Sequence, residues 1–307
     1  MLPPKKHLLL KKRASSTKEM TKPVDRTVDG FSRYRIDFGY DGTDFAGFAK
    51  QPGLRTVQSE LVKGLEVIFG KDNKDFGLRV AGRTDAGVHA QHQVVHVDLT
   101  PTQLKRIGRN PDIAGRVNTA LPQDIRLFSF EKAPAGFDAR YSASFRRYRY
   151  RIADHASNLD PLEVRYVLKL KVDLDLKLMC KAAKEMVGLH DFGAFCKPRA
   201  GATTIRNLRY IRITRNRKAG NIVEIELKGD AFCHNMVRSL TGALVAVARG
   251  RASVLDVKDR LKSANRAGSF KVLGGRGLSL IEVGYPKDSK LAEQAEKARK
   301  LRSLDEN

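Results

Sequence analysis

Three consecutive residues, Arg83, Thr84 and Asp85, place a cation, a hydroxyl and a carboxylate in one short stretch between two glycines. Gly82 and Gly87 permit positive φ angles and close backbone approach, which suits a tight functional loop. If the backbone is extended, Arg83 and Asp85 point the same way, as residues i and i+2 of a strand do. A neighbouring guanidinium favours the ionised form of a carboxylate, and such a carboxylate can act as a nucleophile. The same residues would also suit a surface turn in which Asp85 caps a helix and Arg83 makes a loose ion pair.

The elements around this loop alternate between strands and helices. Apolar spacing predicts strands over residues 31–40, 93–99, 126–131, 145–152, 208–215 and 222–228 and a last strand ending at Val283. It predicts helices over residues 56–70, 113–121, 174–187, 239–249 and 254–264. The two halves mix strands and helices in a similar order, which favours two related α+β lobes.

The strand at residues 145–152 separates two kinds of side chain. Its alternation puts Arg147 and Arg149 on one face and Tyr148 and Tyr150 on the other. Arginines bind phosphates and aromatic rings stack on splayed bases, so this pattern suits RNA. An ordinary amphipathic strand with tyrosines in the core is the alternative, and we favour it for Tyr150.

The composition favours a polyanionic partner. The 307 residues carry a formal net charge of +24, which points first to nucleic acid and second to an anionic membrane surface. Three widely spaced cysteines, Cys180, Cys196 and Cys233, argue against a disulfide framework or a zinc site, and we expect them to be buried in a reducing compartment. No signal sequence or long apolar run is present, so we expect a cytoplasmic protein with no membrane span.

Several motifs together resemble the TruA-type tRNA pseudouridine synthases. The words GRTDAGVHA, around Asp85, are similar to the signature of that family, and YDGTDFAGF is similar to its first motif. That motif usually continues with Trp-Gln, whereas Phe48 and Ala49 stand here. Further similarities are TVQ at Gln58, FDARYSASFRRYRYR with Arg140 and Tyr148, HDFGAF, FCHNMVR with Arg238, and GLSL with Leu280. The resemblance covers roughly residues 31–285.

The resemblance implies a role for each matching residue. Asp85 would be the catalytic carboxylate, with Arg83 and Arg238 positioning and ionising it. Tyr148 would stack on the target base or move a proton, and Leu280 would form a wall of the pocket. We further expect four residues to contact RNA: Arg147, Arg149, Gln58 and Arg140. His190 and Asp191 are interpreted as loop-forming, because no nucleophile pattern accompanies them.

The resemblance also implies a fold and a reaction. The expected fold is α+β, with two RRM-like lobes of antiparallel sheet flanked by helices and a basic cleft between them. The expected divisions are a disordered basic arm (1–30), an N-terminal lobe with the Asp85 loop (31–145), a C-terminal lobe (146–286) and a charged, peripheral tail (287–307). The expected activity is isomerisation of uridine to pseudouridine in the anticodon stem-loop of tRNA, at positions 38 to 40, by a homodimer that needs no cofactor and no metal.

Two other functions fit the same residues. A non-catalytic basic RNA-binding or ribosome-associated protein would use the cleft to bind without modifying its RNA. A pseudouridine synthase acting on another RNA, such as mRNA or mitochondrial RNA, is the second alternative, and the altered Phe48-Ala49 turn is the feature that suggests it.

Overall fold

The computed structural model describes residues 30–108, 112–197, 203–263, 270–300 and 304. Within these residues the chain is a mixed α+β protein with ten strands in one large, mostly antiparallel sheet and seven α-helices. The predicted basic arm lies outside the described residues, apart from Gly30. No helix in the described part of the chain is long and apolar enough to cross a membrane.

The first half of the chain supplies four strands and three helices. In chain order these are β1 (Ser32–Tyr40), α1 (Val57–Phe69), β2 (Arg79–Val80), β3 (His89–Leu99), α2 (Pro101–Lys105), α3 (Ile113–Thr119) and β4 (Ile125–Lys132).

The second half supplies the remaining elements. They are β5 (Phe145–Ala153), β6 (Leu168–Lys169), α4 (Leu176–Met186), β7 (Gly188–Asp191), β8 (Ile205–Asn216), β9 (Ile222–Gly229), α5 (Met236–Ala248), α6 (Val254–Ser263), β10 (Leu278–Gly284) and α7 (Leu291–Arg299). The longer predicted elements are present within a few residues of their expected bounds, whereas the two-residue strands β2 and β6 and the short β7 were not predicted.

The sheet runs in the order β4-β1-β3-β10-β5-β9-β8-β7, with β2 paired to β3 and β6 to β5. In each half the first strand lies between the last strand and the next-to-last strand: β4-β1-β3 and β10-β5-β9. Strand β10 is parallel to β3 and antiparallel to β5, so it joins the two halves. The division into two lobes near residue 145 stays a prediction, although β4 ends and β5 begins on either side of it.

Local sequence explains where α1 begins and ends. Thr56 caps its N-terminus in a reciprocal pair with Ser59, and Gly70 ends it with a φ of 74°. The helix buries Leu61 and Leu65 completely. It therefore covers one face of the sheet and fixes the Phe45–Phe48 turn that leads into it.

The C-terminal segment is not the peripheral tail that the sequence predicted. Helix α7 buries Leu291 and Ala295, each 2% exposed, and the backbone carbonyl of Leu291 accepts a hydrogen bond from Ser142 Oγ at 3.0 Å. The segment is amphipathic, as its sequence indicates, and Leu291 on its apolar face belongs to the core. The prediction that all cysteines are buried is also wrong, because Cys180 is exposed on α4.

Candidate active site

A cavity of about 1190 Å³ opens beside the Asp85 loop, between the Phe45–Phe48 turn, the start of α5 and the end of α7. Nine cationic side chains and two carboxylates line its described part. The cations are Arg79, Arg83, Arg140, Arg146, Arg206, Arg209, Arg238, Lys297 and Lys300, and the carboxylates are Asp85 and Asp230. The cavity therefore carries a large excess of positive charge, as a site for a polyanion requires.

Hydrogen bonds from two strands hold the Asp85 loop in place. Ala81 N donates to Val94 O at 2.9 Å, and Gln93 Nε2 donates to Gly82 O at 2.8 Å. The hydroxyls of Tyr40 and Thr84 lie 2.8 Å apart. Burial raises the pKa of Tyr40 to about 12, so this hydroxyl stays neutral at ordinary pH.

The turn before α1 supports the other side of the loop. Phe48 N donates to Thr84 O at 3.0 Å, and Gly87, with a φ of 72°, donates to Phe45 O at 3.3 Å. Gly42 is required as well, because a Cβ atom there would lie 1.9 Å from Val88 O. Asp85 is thus presented by a backbone that is tied on both sides.

The Asp85 carboxylate contacts two side chains from the second half of the chain. Arg238 Nη1 lies 3.0 Å from Oδ2, and His234 Nε2 lies 3.4 Å from Oδ1. Arg238 is itself fixed, because its Nε donates to Leu273 O at 2.6 Å. The Asp85 side chain is 27% exposed, so it is partly shielded yet open to a ligand.

His234 was missed by the sequence analysis. It lies before α5, and Asn235, with a φ of 68°, turns the chain between His234 and the helix that carries Arg238. Helical spacing therefore does not reveal the contact of His234 with Asp85. Arg83, the predicted neighbour of Asp85, has an exposed side chain that lines the cavity.

Tyr148 reaches the cavity from β5. Its ring is 7% exposed and meets Phe232 edge to face, with 5.2 Å between ring centres. Burial raises the pKa of Tyr148 far above its usual range, so the phenol keeps its proton. No residue in the described part of the chain hydrogen-bonds to its hydroxyl. A neutral donor is thus available to a ligand next to Gly82.

A buried histidine joins the loop to the end of the sheet. His89 Nδ1 accepts from Gly42 N at 3.0 Å, and its Nε2 lies 3.0 Å from Arg276 O. Burial lowers the pKa of His89, so the ring is neutral at pH 7 and Nε2 carries the proton that it donates. His89 is therefore a support for the loop and not a second acid or base in the cavity.

Two of the four predicted RNA contacts lie in the cavity. Gln58, at the start of α1, and the exposed Arg140, before β5, both line it. Phe48 and Ala49 line it too, where the family motif usually has Trp-Gln; the Phe48 ring is 1% exposed and packs beside Tyr40.

Arg147 and Arg149 are not among the residues that line the cavity, and their contact with RNA stays a prediction. They face away from the cavity and pair with glutamates of adjacent strands: Arg147 Nε lies 2.8 Å from Glu282 Oε2, and Arg149 Nη2 lies 2.8 Å from Glu226 Oε1. Alternation put them opposite Tyr148, which lines the cavity. Their acidic partners come from β9 and β10, which a local pattern cannot reveal.

Leu280, which was predicted to form a wall of the pocket, is not among the residues that line the cavity. Leu280 is fully buried, paired in the sheet with Tyr148 and Ala90, whereas Leu278 lines the cavity two residues earlier. Asp191 is loop-forming as predicted, since its Oδ1 accepts from Gly193 N at 2.9 Å.

Comparison with known proteins places this site in a family. A family model described as tRNA pseudouridine synthase matches residues 182–286. The chain is 45% identical over 289 residues to tRNA pseudouridine synthase A of Leifsonia xyli, covering 90% of this chain and all of that protein. It is 44% identical to that of Streptomyces griseus (91% and 97% covered) and 41% identical to that of Mycobacterium leprae (92% and 99% covered).

A solved structure of an H/ACA RNP bound to a substrate RNA containing 2′-deoxyuridine aligns with 69% of this chain and 44% of its own chain, with 12% identity and a TM-score of 0.33. That similarity is too low to bear on the fold. The identities to the three bacterial proteins over nearly their whole length are decisive, and the chain belongs to the tRNA pseudouridine synthase family of isomerases.

Proposed function

We propose that this protein isomerises uridine to pseudouridine in the anticodon stem-loop of tRNA, at positions 38 to 40, with Asp85 as its catalytic carboxylate. The observation that carries the proposal is the contact of Asp85 with Arg238 and His234 at the floor of a large basic cavity. The stem-loop and the three positions follow from the family resemblance of the motifs around Asp85 and Arg238.

The reaction breaks the bond from N1 of uracil to C1′ of ribose and forms a bond from C5 to C1′. C5 loses a proton and N1 gains one, so the change needs no oxidant or reductant. Asp85 acts either as a nucleophile or by stabilising a cationic sugar, and Arg238 orients it by donating a hydrogen bond to its Oδ2. Tyr148, a protonated phenol beside the loop, stacks on the base or moves a proton.

A uridine inside a stem cannot reach Asp85, so the nucleotide leaves the stack and enters the cavity. The cavity volume of about 1190 Å³ leaves room for the nucleotide and for its flanking phosphates. Arg83, Arg140 and Gln58 line the route and bind the RNA. The cationic lining supports the proposed basic cleft, and the repeated strand order supports two RRM-like lobes that meet at β10.

The decisive experiment measures pseudouridine formation on an unmodified tRNA transcript with uridines at the three positions. Wild type is compared with Asp85→Asn, which keeps the side-chain shape and removes the charge, and tRNA binding is measured for both. We expect product from wild type, none from the variant, and similar binding. Equal product from both would remove Asp85 from the chemistry.

The same experiment separates the alternatives. Binding by both proteins with product from neither would favour an RNA-binding protein. Product on another RNA and none on the tRNA would favour a different target. The homodimer implied by the family resemblance is a further proposal, and sedimentation equilibrium of the full chain tests it, since a monomer mass at working concentration contradicts it.

A further inference from the structure

Three guanidinium groups surround the ring of Tyr141 at the rim of the cavity. The Cζ atoms of Arg79, Arg140 and Arg299 lie 5.9, 5.2 and 5.1 Å from the ring centre. They come from β2, from the loop before β5 and from the last turn of α7. Cation–π contacts of this kind hold guanidinium groups in place without consuming their N–H donors.

One carboxylate, Asp138, lies among these three cations and forms long ion pairs with Arg79 and Arg299. Its Oδ2 is 3.8 Å from Arg79 Nη1 and 3.8 Å from Arg299 Nη2, well beyond the 2.7–2.9 Å typical of a charge-assisted hydrogen bond. Its Oδ1 accepts from the backbone N–H groups of Arg140 and Tyr141. The donors of the guanidinium groups therefore remain available to an external anion.

Arginines on the opposite face of the sheet differ from those around Tyr141 in having close acidic partners. There Arg147 and Arg149 each contact a glutamate at 2.8 Å. At the rim, by contrast, Lys297 and Lys300 of the α7 segment add further positive charge to the same cavity. The excess charge is thus concentrated at one rim.

We propose that Arg79, Arg140 and Arg299, arranged around Tyr141, form a phosphate-binding subsite for the RNA backbone that flanks the target nucleotide, with α7 as one of its walls. This inference rests on the proposed function. Phosphodiester oxygens match the planar donors of guanidinium groups. Arg79, Arg140 and Tyr141 line the same cavity as Asp85, and Arg299 reaches the Tyr141 ring from α7. The subsite positions the RNA and carries no sequence preference of its own.

The test compares the salt dependence of tRNA binding for four full-length proteins. They are wild type, the double variant Arg79→Gln/Arg299→Gln, the charge-preserving Arg299→Lys, and the control Arg126→Gln, which removes an exposed arginine on the edge strand β4. The dissociation constant is measured between about 50 and 200 mM KCl, where phosphate contacts dominate the slope. Thermal unfolding of each protein and product formation by wild type are recorded alongside.

We expect the double variant to bind tRNA roughly three- to tenfold more weakly. Its salt slope should fall by about two, because each of the two substitutions removes one cation that pairs with a phosphate. Arg126→Gln should lower the slope by at most one unit, from general charge alone, and Arg299→Lys should keep the wild-type slope. Equal slopes for the double variant and the Arg126 control would overturn the subsite. If Arg299→Lys folds and its salt slope is lowered, the subsite is supported, and phosphate binding there requires a guanidinium group.

Failure of the proposed function would give different results from failure of the subsite. If wild type binds tRNA and makes no product, the proposed reaction is wrong and the slopes still decide the subsite. If wild type does not bind tRNA at all, both proposals are overturned. If the double variant does not fold, the single variant Arg299→Gln is compared with wild type instead. The Arg299 side chain is 38% exposed at the end of α7, so its replacement should not unfold the protein. An unchanged salt slope for this variant overturns the role of α7.

Discussion

The hydroxyls of two neighbouring tyrosines on β5 have opposite surroundings. Tyr148 has no hydrogen-bond partner for its hydroxyl within the described part of the chain, and it faces the cavity. Tyr150 is fully buried and donates to Gly274 O at 2.5 Å. A side chain whose polar atom is left without an internal partner is available for a ligand, whereas a satisfied one stabilises the fold.

Replacing each tyrosine by phenylalanine should therefore separate activity from stability. Tyr148→Phe keeps the edge contact with Phe232 and should change the free energy of unfolding by less than about 0.5 kcal/mol. If its hydroxyl moves a proton, kcat should fall roughly 100-fold or more. Tyr150→Phe loses a buried hydrogen bond and should cost about 1 kcal/mol of stability, with a much smaller change in kcat. Urea unfolding measures the stability of each variant, and single-turnover product formation measures its activity. An unchanged rate for Tyr148→Phe would mean that Tyr148 only stacks on the base.

A buried histidine makes stability depend on pH. Burial and the neighbouring Arg33 lower the pKa of His96 to about 4, against 6.5 for the unfolded side chain. Between these values the unfolded chain binds the proton and the folded chain does not. The free energy of unfolding should therefore fall by about 3 kcal/mol as the pH drops from 6.5 to 4. Carboxyl groups with lowered pKa values, such as Asp37 and Asp154, lose their contribution only at and below about pH 4.

The measurement is urea unfolding at several pH values between 4 and 7 for wild type and His96→Gln. His96 Nδ1 accepts from Ala139 N at 3.0 Å, and a glutamine oxygen can replace that acceptor. The variant should lose most of the pH dependence and keep the part due to His89, whose pKa burial also lowers. Parallel pH profiles for the two proteins would show that His96 is not the source.

At the scale of elements, the sequence predicted those features whose determining residues lie close together in the chain. Alternation in β1, the cap at Thr56 and the spacing within α1 lie within a few residues of each other, and the predicted bounds were close. The glutamates that pair with Arg147 and Arg149 lie on β9 and β10, far along the chain. Motif resemblance pointed to Arg238, but the contact of Arg238 with Asp85 needs the fold.

Helix α7 packs against the rest of the protein through two buried apolar side chains, Leu291 and Ala295. Leu291→Ala should lower the free energy of unfolding by roughly 2 kcal/mol or more, because a fully covered leucine loses its packing. Leu255→Ala, on α6, is the matched control: that leucine is 62% exposed and its replacement should cost less than about 0.5 kcal/mol. Equal effects of the two changes, measured by urea unfolding, would show that α7 is not docked on the core.

At the scale of the whole molecule, charge and connectivity explain why the site sits where it does. Nine cationic side chains and two carboxylates line the described part of the cavity, whereas Arg147 and Arg149 on the opposite face of the sheet are paired with glutamates. Composition alone predicted a polyanionic partner but could not say which arginines would meet it. The insertion of β10 between β3 and β5 was equally beyond the sequence, because strand order is set by contacts between distant segments.

That insertion should make the two halves unfold together. β10 ends the second half yet pairs with β3 of the first, and Arg146 Nη2 from β5 donates to Ala81 O at 2.9 Å beside the Asp85 loop. Separation of the halves would remove Ala81 O, one of the backbone acceptors of the buried Arg146 guanidinium, and would leave the facing edges of β3 and β10 unpaired, which is costly. We therefore expect one cooperative transition in which neither half outlasts the other.

The chain has no tryptophan, so a single introduced tryptophan reports on one half alone. Tyr34→Trp on β1 and Tyr210→Trp on β8 are suitable, since both tyrosines are partly exposed and a larger ring can be accommodated. For each variant, the fluorescence midpoint in urea should coincide with the midpoint of the far-ultraviolet circular dichroism signal, which reports on the whole chain. A fluorescence midpoint that departs from the dichroism midpoint in either variant would mean that its half unfolds separately. The site, which takes Asp85 from one half and Arg238 from the other, would then come apart before the rest of the protein.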